Sequence, residues 1–263
     1  MRAGIRLLGP VEVSGPHGLV PWSGARRRSV FALLALSPGR LVPGSRLIDG
    51  LWGDEVPATA LKTLQSHVAQ LRKGLSAAGL DGLLVTRDPG YLILVDSALV
   101  DAHRFEEHAR VGRRALDHGD VRAAVERFEA GLALWRGDPL ADCPVTGWAG
   151  AEITRLSETR ALVEEQRITA LCLLGRHAEA IGELERLVAR YPLREKLWEL
   201  LMAAQHRSGR PADALRTYRR VRVMLVDEVG LEPGAGLRKL EAAVLAGEPE
   251  ADLEQELLPA RKR

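Results

Sequence analysis

The feature that most constrains this chain is a repeat at a spacing of 34 residues: Leu173-Leu174-Gly175-Arg176-His177-Ala178-Glu179-Ala180-Ile181 lines up with Arg207-Ser208-Gly209-Arg210-Pro211-Ala212-Asp213-Ala214-Leu215. Gly, Arg, Ala and Ala recur at matching places. A less regular copy of the same junction is Asp117-His118-Gly119-Asp120-Val121-Arg122-Ala123-Ala124. From Asp101 onward there is no strand signal. The pattern predicts amphipathic helices near 101–117, 120–135, 148–174, 177–190, 194–208, 211–228 and 235–246. The Glu-rich stretch from Gly247, ending in Arg261-Lys262-Arg263, reads as a disordered tail.

A 34-residue helix pair with small residues after a Gly turn has the tetratricopeptide period, in which Ala lets two helices approach closely. Stacked units of that kind make binding surfaces more readily than catalytic pockets.

The first 95 residues follow another pattern. Ile5, Leu7 and Leu8 precede Gly9-Pro10, Val11 and Val13 follow, and a Gly/Pro turn at 15–18 leads to Leu19–Trp22, all of which reads as short strands. Val30, Phe31, Leu33 and Leu34 fit a helix over Arg26–Leu36 buried across a broad face, ended by Pro38-Gly39. Ser45 suits the N-cap of a short helix carrying Leu47, Ile48 and Leu51, with Gly53 as its stop. Next, Leu61, Leu64, Val68, Leu71 and Leu75 predict one apolar stripe on a helix over 58–75. A hairpin of Leu83–Thr86 and Tyr91–Val95 turns through Arg87-Asp88-Pro89-Gly90. Strands, three helices, hairpin is the order of a winged helix-turn-helix. The expected fold is therefore an α+β winged helix-turn-helix domain over 1–95, followed by an all-α tetratricopeptide-like domain over 100–246, with 247–263 as the tail.

Charge divides along the same line. The formal net charge is +2, but residues 1–95 hold 11 basic and six acidic groups, leaving +5 there and −3 in the remainder. A basic segment joined to an acidic one points to a nucleic-acid-binding module joined to something else. The outer face of the 58–75 helix carries Lys62, Thr63, Gln65, Ser66, Arg72 and Lys73, and no carboxylate stands between Thr59 and Ala78. Those side chains can donate to base edges and neutralise phosphates, as a helix in a major groove must. An ordinary solvated face would mix Asp and Glu among them. Arg87, at the hairpin turn, is placed either to enter a minor groove or grip phosphate, or to stand as an exposed turn arginine. Arg26-Arg27-Arg28 opens a helix at its positive end, where a solvated charge run is the leading reading and phosphate contact the other. Trp52 reads as mostly core; Asp54 and Glu55 are either plain loop residues or a surface for a protein partner.

Signals for catalysis are missing. There is no GxxxxGK[ST], GxSxG or HExxH, and Gly234-Ala235-Gly236 lacks both a preceding strand and a third glycine. His103 and His108 are five apart on a helix, which does not align them for a metal. Cys143 and Cys172 are too distant for a CxxC motif and fit an intracellular compartment. The longest apolar stretch, Val30–Leu36, is far short of a membrane span, and Arg6, Pro10 and Glu12 interrupt any signal-peptide core. The expectation is a protein that is not an enzyme, with no catalytic residue, metal or cofactor.

Several local strings resemble the Streptomyces antibiotic regulatory protein family, in which an OmpR-type winged helix precedes a bacterial transcriptional activation domain. They are Leu7-Leu8-Gly9-Pro10-Val11-Glu12-Val13, Arg46-Leu47-Ile48-Asp49-Gly50-Leu51-Trp52-Gly53-Asp54, Ala60-Leu61-Lys62-Thr63-Leu64-Gln65-Ser66-His67-Val68 with Leu71-Arg72-Lys73, and Gly90-Tyr91-Leu92. Asp101-Ala102-His103-Arg104-Phe105, Gly230-Leu231-Glu232-Pro233 and Leu237-Arg238-Lys239-Leu240-Glu241 match the second half. Larger relatives add an ATPase and further repeats, which makes this a small member. The resemblance implies an activator of a secondary-metabolite (antibiotic) gene cluster, cytoplasmic and nucleoid-associated. It implies a dimer on direct repeats of double-stranded DNA near the promoter −35 region that recruits RNA polymerase holoenzyme. Carried over residue by residue, Thr59, Lys62, Thr63, Gln65 and Ser66 address the groove, Arg72 and Lys73 the phosphates, Arg87 the wing contact, and Trp52, Asp54 and Glu55 the polymerase. Ala69 and Gln70 stand where OmpR-type relatives often have a basic residue, which implies fewer phosphate contacts from this helix. A protein-interaction scaffold whose first half has lost DNA binding is the competing class.

Overall fold

The computed structural model describes residues 4–247, so the tail expected over 247–263 lies, Gly247 apart, outside the described residues. The chain forms two compact units, one of residues up to Ala109 with Ala130–Arg160, the other of Arg110–Glu129 with the residues from Ala161.

In the first unit β1 (Gly4–Arg6), β2 (Glu12–Gly15) and β3 (Gly18–Leu19) make an antiparallel sheet in that order, with Ile5 opposite Val13. Leu7 and Leu8 are fully buried but lie beyond β1, for a definite reason. Their N–H groups donate to the buried carboxylate of Asp101, at 2.6 and 3.1 Å, instead of to a neighbouring strand. Burial pushes the Asp101 carboxyl above its ordinary range, while the backbone N–H donors and Arg136 pull the other way.

Helix α1 (Ala25–Ala35) is buried continuously from Ser29 to Ala35, as its broad apolar face requires. Strand β4 (Val42–Pro43), which the sequence did not announce, leads straight into α2 (Gly44–Trp52). Pro43, not Ser45, occupies the N-cap position of α2, and Ser45 is exposed. A strand of two residues ending in Pro gives no alternation to read, and it places the helix start two residues early. Helix α3 (Ala60–Ala77) buries Ala60, Leu64, Val68, Leu71 and Leu75. Leu61, expected on that stripe, is 58% exposed. A step of four back from Leu64 reaches Ala60 and a step of three reaches Leu61; periodicity alone allows both, and the structure buries the smaller residue. Strands β5 (Leu84–Arg87) and β6 (Gly90–Ile93) form the hairpin, and the second sheet has the order β4-β6-β5. A Cβ on Gly90 would fall on the Val42 carbonyl, so only glycine lets β4 and β6 close up there.

A 3-10 turn at Ser97–Leu99 leads into α4 (Asp101–Asp117), followed by α5 (Val121–Leu132), α6 (Trp148–Leu173), α7 (His177–Arg190), α8 (Glu195–Arg207), α9 (Pro211–Val229) and α10 (Ala235–Ala246). The division between units falls inside α4, α5 and α6.

In the second unit the three repeated junctions have one geometry. Gly119, Gly175 and Gly209 are left-handed, at φ of 79, 76 and 71°. Each glycine N–H donates three residues back, and the next N–H donates five back: Asp120 to Ala115, Arg176 to Leu171, Arg210 to Gln205. This is the glycine-terminated helix end that satisfies otherwise orphaned carbonyls. Five residues after each glycine stands a fully buried alanine, Ala124, Ala180 and Ala214, which is where the small side chain of the repeat does its packing. Around Ala180 and Ala214 close Ile168, Leu184, Leu201, Val221 and Leu240. One buried polar pair crosses this core, the Thr217 hydroxyl donating to Gln205 Oε1 at 2.9 Å.

Candidate nucleic-acid interface

With Leu64, Val68 and Leu71 turned inward, helical spacing puts Lys62, Gln65, Ser66, Ala69 and Lys73 on the exposed side of α3, and Thr63 half-buried at its margin. Thr59 is the exposed residue before the helix, and its side chain makes no capping bond. The first turn contains no acid, so the positive helix end and Lys62 stand together unneutralised within the helix.

Arg72 lies on the same helix but is engaged in the hairpin: its Nε donates to the Leu84 carbonyl at 3.1 Å and its Nη2 to Thr86 Oγ1 at 2.6 Å. It therefore ties α3 to β5, and Lys62 and Lys73 are the α3 cations left exposed. Arg87 closes β5 opposite Gly90 and is exposed at the turn through Asp88-Pro89. Helix α3 and the β5–β6 hairpin are thus braced together, and their exposed groups include Lys62, Lys73 and Arg87 as well as Asp88 at the turn.

The arginine run is divided in its partners. Arg28 pairs with Asp142 at 2.9 Å, and the Arg26 guanidinium stands 5.4 Å from the Trp52 ring centre. Arg26 and Arg27 also face His67 of α3, whose imidazole is held below its ordinary pKa first by burial and then by those two charges. Trp52 is half-buried, not core, and Asp54 and Glu55 are exposed in the loop after α2. Val56, next to Glu55 in the chain, is 50% exposed, and Leu61 of α3 is 58% exposed.

Sequence reasoning missed a set of residues that fasten α1 and α2 from far along the chain. Asp142 accepts the Val11 N–H at 2.9 Å besides pairing with Arg28, and the Ser29 hydroxyl donates to the Pro144 carbonyl at 3.2 Å. Thr146 and Trp148 bond to the carbonyls of α2, Trp148 Nε1 reaching Arg46 at 2.8 Å. Their partners are about a hundred residues away in sequence, so no local pattern marks them. The one signal was Gly50, an isolated glycine inside a helical pattern. A Cβ there would lie 2.9 Å from Leu33 and 3.0 Å from Trp148 Nε1.

Among the described residues no group of three or more His, Cys, Asp or Glu is gathered to hold a metal, and no helix is long and apolar enough to cross a membrane.

The family model described as "Transcriptional regulatory protein, C terminal" matches residues 23–93, and "Bacterial transcriptional activator domain" matches residues 100–245. The chain is 41% identical to "Regulatory protein DnrI" of Streptomyces peucetius, covering 97% of both chains. It is 40% identical to "Transcriptional regulator RedD" of Streptomyces coelicolor, covering 93% of this chain and 71% of that one. A solved structure of Mycobacterium tuberculosis EmbR, described as in complex with a low affinity phosphopeptide, superposes with a TM-score of 0.88 at 32% identity. It covers 97% of this chain and 69% of that one. A winged-helix region and an activator-domain region, in the order of relatives matched along nearly the whole sequence, place the chain in the Streptomyces antibiotic regulatory protein family of transcriptional activators.

Proposed function

We propose that the protein activates a secondary-metabolite gene cluster by binding direct repeats near a promoter's −35 region and recruiting RNA polymerase holoenzyme. The observation that carries this reading is the α3 face: Lys62, Gln65, Ser66 and Lys73 exposed without an acid among them, beside a wing that Arg72 braces and Arg87 tips. Thr59, Lys62, Thr63, Gln65 and Ser66 address the major groove, Lys73 the phosphates, and Arg87 the minor groove or its phosphates. Arg72 reaches phosphate only with what its hairpin bonds leave free. In functional terms, 1–95 is the DNA-binding module and 100–246 the activation module.

Direct repeats require head-to-tail placement, so two protomers dimerise on one face of the DNA, at a repeat spacing of about 10 to 11 base pairs or a multiple. The loop of Trp52, Asp54 and Glu55 then faces polymerase, with the exposed Val56 as apolar surface next to the acids. The protein works in the cytoplasm, at the nucleoid.

Footprinting on genomic DNA with and without RNA polymerase tests the reading. Two protected repeats in tandem, extended toward the promoter when polymerase is added, are the expected result. Inverted repeats, or no protection together with a stable protein complex in a pull-down, would overturn it in favour of a scaffold.

A further inference from the structure

We infer that Thr146 and Trp148 form a splint that sets the conformation of the loop at 53–57, which makes them positioning residues for polymerase engagement. The inference rests on the reading that this loop faces polymerase. It begins from a general need: the last four carbonyls of a helix have no partner within it. In α2 those include Asp49 and Gly50. The Thr146 hydroxyl donates to the Asp49 carbonyl at 3.1 Å, and the Thr146 N–H donates to the Gly50 carbonyl at 3.0 Å. One turn earlier, Trp148 Nε1 donates to the Arg46 carbonyl at 2.8 Å, while the Arg46 guanidinium lies 4.4 Å from the centre of the same indole ring.

The fit leaves little room. Gly147 is left-handed at φ 53°, and a side chain there would strike the Asp49 carboxylate at 2.8 Å. The preceding residues are fastened separately, Asp142 to Arg28 and the Val11 N–H, Pro144 to Ser29. The segment is therefore held at one end on α1 and at the other on the C-terminal end of α2.

The loop leaves α2 at this point. Gly53, at φ 54°, donates to the Asp49 carbonyl that Thr146 also bonds, and a Cβ on Gly53 would sit 3.2 Å from Thr146 Oγ1. Glu55 donates in turn to the Trp52 carbonyl at 3.1 Å. The bonds described for 142–148 go to α1, α2, Val11 beside β2 and near neighbours in the chain, so the splint governs the loop's presentation and not the groove contacts. The segment lies inside the stretch matched by the activator-domain model, although its bonds go to helices of the winged-helix region.

The test uses the full chain with Thr146→Val, which removes the hydroxyl and keeps the shape, and Trp148→Phe, which removes the indole N–H and keeps a ring over Arg46. Thr146→Ser is the rescue. Hydrogen exchange at Gly53 and Glu55, affinity for the footprinted DNA, and run-off transcription are read on each. Thr146→Val and Trp148→Phe should each speed exchange at those amides about fivefold, the equilibrium worth of one lost hydrogen bond. Transcription should fall while DNA affinity holds, and Thr146→Ser should behave as wild type. Unchanged exchange in both variants overturns the splint, and so does a loss of DNA affinity in step with transcription. Faster exchange with undiminished transcription overturns instead the reading of this loop as the polymerase contact, a result distinguishable from the first two.

Discussion

The two compact units are held together by opposite means. In the unit containing α7–α10, stability is assembled from a junction used three times: a left-handed glycine, one hydrogen bond spanning five residues, and a buried alanine five positions on. In the unit containing the winged helix, each critical bond is made once, by a residue far along the chain: Asp101 to Leu7 and Leu8, Asp142 to Val11, Thr146 to Asp49, Trp148 to Arg46. A repeated local device tolerates variation in any one copy. A single long-range bond has no second copy, and at Asp101 its loss frees two buried backbone N–H groups at once.

The largest effect is therefore expected at Asp101. Asp101→Ala leaves the N–H groups of Leu7 and Leu8 buried and unpaired, at a cost on the order of 3 kcal/mol. Denaturant unfolding measures the loss, and exchange should locate it: α1 and α2 amides lose protection while the junction amides of Arg176 and Arg210 keep theirs. A uniform loss would break the contrast between the units.

Within the repeat region the non-repeated feature should matter most. Thr217→Val strands the buried Gln205 Oε1, for about 2 kcal/mol by the same denaturant measurement. Gly209→Ala and Gly175→Ala meet no neighbouring atom and differ little in φ, so each should cost about 1 kcal/mol of left-handed strain, and the two should be equal. Markedly unequal costs would show that the junctions are not the same device.

The smallest expected effect is a pH dependence. Because His67 is held below its ordinary value of 6.5, the unfolded chain takes up the proton first as pH falls. Its contribution is full above pH 6.5 and declines below it. His67→Gln should flatten the change in urea midpoint between about pH 7.5 and 5.5; an unaltered slope would assign the acid sensitivity to other groups.

The same contrast explains what could be read from sequence. The helices at 101–117, 177–190 and 235–246 have the bounds their periodicity predicted, because amphipathic spacing and Gly junctions are local causes. The order of strands, three helices and hairpin was legible for the same reason, as was the outer face of α3. Leu61 was misplaced because a stripe defined by steps of three and four does not choose between adjacent residues at its end. The short strand β4 and the helix start at Gly44 were hidden because they depend on pairing with β6, 47 residues on. Arg72 was legible as a cation but not as a brace, since its partners Leu84 and Thr86 sit on the hairpin. The staples at Asp142, Thr146 and Trp148 left almost no trace, Gly50 excepted.

The central claim, that α3 and the wing engage DNA through their outward cations, is tested most directly by affinity for the footprinted repeat as a function of salt. Wild-type affinity should fall steeply as salt rises, by counterion release. Lys73→Ala with Arg87→Ala should weaken binding and make the dependence shallower by about two in log–log slope, one for each lost phosphate contact. Equal affinity and equal slope in the double variant would contradict the account.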